Sequence, residues 1–83
     1  MYYLLICRSL TYAQRTEKAL ERARSTAIVT RVPHTISVEG CGYCVKVPER
    51  HFNNALNALA GTDLYPKKVY ALYDNGAHAE VSV

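Results

Sequence analysis

The chain predicts a ferredoxin-like α+β fold, in the order βαββαβ with one extra C-terminal strand, on three observations. Two apolar stretches are each followed by an amphipathic helical pattern, a β-branched run stops at Pro33 between the two halves, and Asp74-Asn75-Gly76 separates two final strand-like segments. Such an order packs two helices on one face of an antiparallel sheet and sets the third strand beside the first, running oppositely.

Each element has its own justification. Tyr2 to Cys7 is continuously apolar, as expected of a central strand covered on both faces. Thr11 and Gln14 form a capping-box pattern, and Ala13, Leu20 and Ala23 recur on one helical face, so a first helix is expected to end near Ala23. Ala27 to Val32 is rich in β-branched residues and reads as the second strand, with Pro33 to Gly42 as a loop. Tyr43, Val45 and Val47 alternate with Cys44 and Lys46, the signature of a half-buried third strand. Pro48 and Glu49 suit the first turn of a second helix, Phe52, Ala55, Leu56 and Leu59 line its apolar face, and Gly61 stops it. Lys68 to Tyr73 and His78 to Val83 read as the last two strands, joined by turn residues that tolerate positive φ.

With 83 residues the expectation is one domain, residues 1–83, with a modest core. An apolar fraction of 49% and a charged fraction of 20% describe a globular chain rather than a disordered one. The net charge of +3 is spread over scattered Lys and Arg residues, which argues against an extended nucleic-acid footprint. Seven tyrosines could stack bases on an open sheet, but the third strand lacks the basic-aromatic signature of such modules, so core and interface packing is favoured. Apolar and aromatic residues on the sheet face without helices argue for a homodimer through that face. The apolar N-terminal segment is only a strand long, so neither a membrane span nor a signal peptide is read there, and a reducing, cytoplasmic location is expected.

The chemistry-bearing pattern is Cys41-Gly42-Tyr43-Cys44, a C-x-x-C pair, with Cys7 as the third thiol. The predicted topology brings the end of the first strand, with Cys7, to the same sheet edge as the start of the third. Arg8, His34, Lys67 and Lys68 fall at this edge, and Gly40 and Gly42 permit a tight turn around Cys41. Cations near a thiol favour the reactive thiolate, and Glu39 opposes them. The pair leads into a strand rather than starting a helix, so it differs from a thioredoxin-type motif. In extended backbone its two Cα atoms would lie roughly 10 Å apart, beyond the ~7 Å that a disulfide spans.

Other readings of the thiols stay open at this point. A free cysteine often acts as a small buried hydrophobe, which would make the chain a non-catalytic, homodimeric interaction module. Small thiol-redox chemistry is a further possibility. A zinc site could be assembled from the C-x-x-C with Cys7 or His34, but there is no second C-x-x-C and no paired His, so no metal and no other cofactor is expected. His51 and His78 fall far from this edge, and Ser9 and Thr11 are better explained as helix-start residues than as nucleophiles.

Ser9 to Thr11 after an apolar strand, Arg31-Val32-Pro33, Ile36-Ser37 and Cys41-Gly42 together resemble a bacterial domain family described as selenium/sulfur carrier-like. The resemblance covers almost the whole chain. It implies a compact α+β domain in which Cys41 bears a persulfide or selenium adduct, and a carrier rather than a stand-alone enzyme. The partners implied are proteins that donate and accept sulfur or selenium. In that scheme Cys44 or Cys7 resolves the adduct by forming a disulfide, while Arg8, Lys67 and Lys68 hold its negative charge.

Overall fold

The computed structural model describes residues 1–36 and 42–83. Its elements are β1 (Tyr2–Ile6), α1 (Leu10–Arg22), β2 (Ile28–Arg31), β3 (Tyr43–Pro48), α2 (Phe52–Leu59), β4 (Val69–Leu72) and β5 (His78–Val81), with a single 3₁₀ turn, Glu49–His51, leading into α2. The five strands lie in the order β2-β3-β1-β4-β5, every neighbouring pair antiparallel. This is the ferredoxin-like arrangement with a fifth strand added beside β4.

Alternation along the strands builds two layers of packing. Leu5, Val45, Val47 and Val69 face the helices and meet Ala13 and Leu20 of α1 and Ala55 and Leu59 of α2 in one buried cluster. Tyr3 stacks on Phe52 at the edge of that cluster, ring centroids 3.7 Å apart. The opposite face carries a smaller cluster of Leu4, Cys44 and Ile36, flanked by Ile6, Val32, Tyr70 and Leu72. Ile36 belongs to the segment after β2, held in a turn by its N–H donating to the Pro33 carbonyl at 3.0 Å. That segment therefore covers part of the face that has no helix.

The first helix starts two residues earlier than the Thr11 capping pattern predicts. Ser9 is the cap: its backbone is extended, its hydroxyl accepts the Tyr12 N–H at 3.2 Å, and the helix begins at Leu10. Two hydroxyl residues compete for this role, and the one next to the strand exit wins because the chain must turn there. The helix ends in a Schellman-type turn, the Ser25 N–H donating to the Leu20 carbonyl at 2.9 Å, with Arg24 in the left-handed region at φ 62°. Asn54 of α2 ties this end down by donating to the Ala23 carbonyl and the Ser25 hydroxyl. Glu17 accepts the Val29 N–H of edge strand β2 at 3.1 Å, so α1 satisfies a donor that a sheet edge leaves open.

Candidate functional site

Cys7 leaves the sheet at the end of β1. Its N–H donates to the Tyr43 carbonyl at 3.2 Å, extending the β1–β3 ladder by one bond, and its thiol donates to the Leu5 carbonyl at 3.4 Å. The side chain is half-buried against the helix-side core. On the other flank the Ile6 N–H donates to the Lys68 carbonyl at 3.0 Å, which fixes Lys67 and Lys68 at the same end of the sheet. Three of the predicted site residues, Arg8, Lys67 and Lys68, thus come together around Cys7.

These residues line a cleft of about 590 Å³ between the start of α1 and the segment that leads into β4. Its remaining walls are Leu5, Ile6, Tyr12, Thr16, Asp63, Leu64, Tyr65 and Pro66. Arg8 lies over the Tyr12 ring, 4.4 Å from its centroid, and Arg15 approaches the same ring at 5.2 Å. Among the described residues Asp63 is the one acidic residue of the lining, and it pairs with Arg15 at 3.6 Å. Among the described residues, three cations against one carboxylate that already has a partner give the lining an excess of positive charge.

Cys44 sits in a different environment. It pairs with Ile6 across the ladder, so its side chain lies on the face away from the helices, while Cys7 packs on the helix side. It is a free thiol, wholly buried under Ile36 beside Leu4. Burial pushes this thiol up to about 12, the nearby Cys7 adds to the rise, and Lys46 opposes it. The topology brings Cys7 and Cys44 to the same end of adjacent strands, as the sequence predicts, but the pleat turns them to opposite faces.

The other predicted residues are dispersed. His34 is exposed in the turn after β2, outside the cleft lining. Gly42 adopts φ 77° and its carbonyl accepts the Val32 N–H at 2.7 Å, closing the junction between β2 and β3. Gly40 and Cys41, with Glu39, lie outside the described residues. Among the described residues, no three His, Cys, Asp or Glu side chains cluster in a way that could hold a metal ion. His51 instead accepts the Thr26 N–H through Nδ1 at 2.9 Å, and His78 makes an edge contact with Tyr70. No described helix is long and apolar enough to cross a membrane.

On the face without helices, Leu4 is only 1% exposed within a single chain, while Tyr2 and Ile28 remain 42% and 57% exposed. Lys46 Nζ lies 4.2 Å from the Tyr2 ring centroid, so part of that aromatic surface is already occupied by a cation. The apolar area that motivates a homodimer is therefore smaller than strand patterning suggests.

Sequence reasoning missed Tyr12, Asp63, Leu64, Tyr65 and Pro66 as walls of the cleft. Tyr12 had a readable signal, since it lies three residues after the Ser9 cap and five after Cys7. Residues 63–66 had none, because only the β1–β4 pairing brings the approach to β4 against the start of α1.

No curated protein and no solved structure matches the chain. A family profile does match, over residues 2–71, which takes in β1 through most of β4 and includes Cys7, Cys41-Gly42, Cys44, Lys67 and Lys68. With the ferredoxin-like sheet and the thiol-bearing end of β1 described above, that match means that the chain belongs to the family described as "Putative Se/S carrier protein-like".

Proposed function

We propose that this protein carries sulfur or selenium as a persulfide-type adduct on Cys41 and passes it to a partner protein. The observation that carries the reading is the family match over residues 2–71, which spans Cys41-Gly42 and the strands on either side. Cys41 comes directly before Gly42, and the next residue, Tyr43, is hydrogen-bonded to Cys7. Cys7 is thus the described thiol suited to a resolving role, because Cys44 is buried on the opposite face.

The resolving step is balanced without an added oxidant. The Cys7 thiolate attacks Cys41 Sγ of the Cys41–S–SH adduct, the bond to the outer sulfur breaks, and HS⁻ leaves with the electron pair. A Cys7–Cys41 disulfide remains, and a reductant thiol restores the protein. Direct transfer is the alternative exit: a partner thiolate attacks the outer sulfur, and Cys41 leaves as the thiolate. Arg8, Lys67 and Lys68 offset the negative charge of the adduct and of the leaving group. In this reading residues 1–83 act as one domain in the cytoplasm, as a carrier rather than a stand-alone enzyme, with donor and acceptor proteins as partners.

Intact-mass spectrometry after incubation with a cysteine desulfurase and cysteine tests the reading. The expected result is a gain of one sulfur atom that Cys41→Ser abolishes. No gain, or a gain indifferent to Cys41→Ser, rejects it.

A further inference from the structure

The cleft behind Cys7 is larger than a resolving thiol requires. A disulfide exchange within the chain needs two sulfurs in contact, not a cavity of about 590 Å³ with a polar and an apolar wall. That volume falls within the ~300–1,000 Å³ typical of sites for small molecules. The composition of the walls narrows the class of molecule. Arg8, Lys67 and Lys68 supply positive charge, while Asp63, the carboxylate among the described lining residues, is engaged by Arg15. Arg8 lies over the Tyr12 ring, and among the described residues no carboxylate pairs with it, so its guanidinium donors are available to an anion. Leu64 and Pro66 give the cleft an apolar side, and Cys7 brings a thiol to it.

We propose that this cleft binds a low-molecular-weight persulfide bearing carboxylate groups, of the glutathione persulfide type, and that Cys7 accepts its outer sulfur. The carboxylates pair with Arg8, Lys67 and Lys68, and the R–S–SH end is directed toward Cys7 Sγ. The Cys7 thiolate attacks the outer sulfur, the bond from that sulfur to R–S breaks, and R–S⁻ leaves with the electron pair. A new S–S bond forms to Cys7, the proton stays on the transferred sulfur, and nothing is oxidised or reduced overall. The proposal rests on the carrier reading in taking sulfur as the cargo. It goes beyond that reading by assigning a second accepting thiol and a small-molecule donor.

The test uses the full chain with glutathione persulfide as donor, followed by alkylation, digestion and mass spectrometry to locate the added sulfur. In Cys41→Ser protein the sulfur is expected on the peptide that contains Cys7. Replacing both Lys67 and Lys68 by Ala should slow loading by about tenfold at low ionic strength, with the difference shrinking as salt is added. A second measurement needs no sulfur transfer: S-methylglutathione, which cannot react, should shift the backbone amide resonances of Cys7, Arg8, Lys67 and Lys68 in the unmodified protein and should inhibit loading.

If wild-type protein gains sulfur from the desulfurase but Cys41→Ser protein gains none from glutathione persulfide, the cleft proposal is overturned and the carrier reading stands. If Cys7 is loaded by the small persulfide while Cys41 takes nothing from either donor, the carrier reading fails at Cys41 and the cleft survives. Loading of Cys7 that ignores both the lysine substitutions and S-methylglutathione marks simple thiol reactivity and overturns the site.

Discussion

Ile6 and Cys44 stand opposite each other in the β1–β3 ladder, and this register turns Cys7 and Cys44 to opposite faces of the sheet. One thiol meets a cleft and the other a sealed apolar layer. Native-state thiol titration should therefore separate them. With its thiol at about 12, Cys44 is ionised to only about one part in ten thousand at pH 8, and burial denies reagent access as well. In Cys41→Ser protein one thiol, Cys7, is expected to react under native conditions, with the second appearing only in denaturant. Two native equivalents would contradict the burial of Cys44.

The same group makes stability depend on alkaline pH. Below its ordinary value of 9.0 the Cys44 thiol is protonated in both folded and unfolded chains, and it contributes no slope. Above 9.0 the unfolded chain loses this proton while the folded chain keeps it until about 12, so stability falls as pH rises through that window. A shift of this size corresponds to about 4 kcal/mol once the upper end is reached. Urea unfolding from pH 8 to 11 should show a shallower decline for Cys44→Ala than for the wild type, because the variant lacks the titrating group.

Ile36 is 5% exposed and packs over Cys44 from the segment after β2. Truncating it to Ala should cost about 2 kcal/mol and open a path to the thiol. The distinguishing measurement is Cys44 alkylation in the absence of denaturant, expected to become detectable in Ile36→Ala and absent in a variant destabilised equally at the helix-side core.

Ser9 alone supplies the side-chain cap of α1, through its bond from the Tyr12 N–H. Ser9→Ala should lower stability by about 1 kcal/mol, and Thr11→Ala by much less, in chemical denaturation. Equal losses would mean that the capping pattern read from Thr11 and Gln14 is the operative one.

Arg24 occupies a left-handed conformation, φ 62°, in the turn that ends α1. Its side chain is exposed, so little packing offsets the backbone cost. Arg24→Gly should raise stability by roughly 0.5–1 kcal/mol, since glycine adopts this region without a Cβ clash. A fall in melting temperature would show that the arginine side chain makes a compensating interaction.

Strand order was readable because the two β-α halves have distinct periodicities and one topology accommodates them. The neighbourhood of Cys7, Lys67 and Lys68 followed from that order without any side-chain detail. Parity did not follow. The alternation of Tyr43, Val45 and Val47 with Cys44 and Lys46 sets Cys44 opposite the valines, but it does not say on which face Cys7 lies, since the continuously apolar β1 carries no alternation of its own. The walls at 63–66 were equally hidden, because they are joined to Cys7 by sheet pairing across nearly sixty positions rather than by a motif. The cap at Ser9 lay in plain view but was outranked by a more complete pattern two residues later.

β1 is paired along both edges, to β3 on one side and β4 on the other, and the ladder runs on through the Cys7 N–H. A strand held this way opens only when both neighbours release it, so its amides should be among the last in the molecule to exchange with deuterium. The backbone of Cys7, one residue beyond the end of β1, is tied in by the same ladder, while its half-buried thiol is left to turn about the side-chain bond. Any group that reacts with Cys7 therefore meets a sulfur whose backbone stays in place.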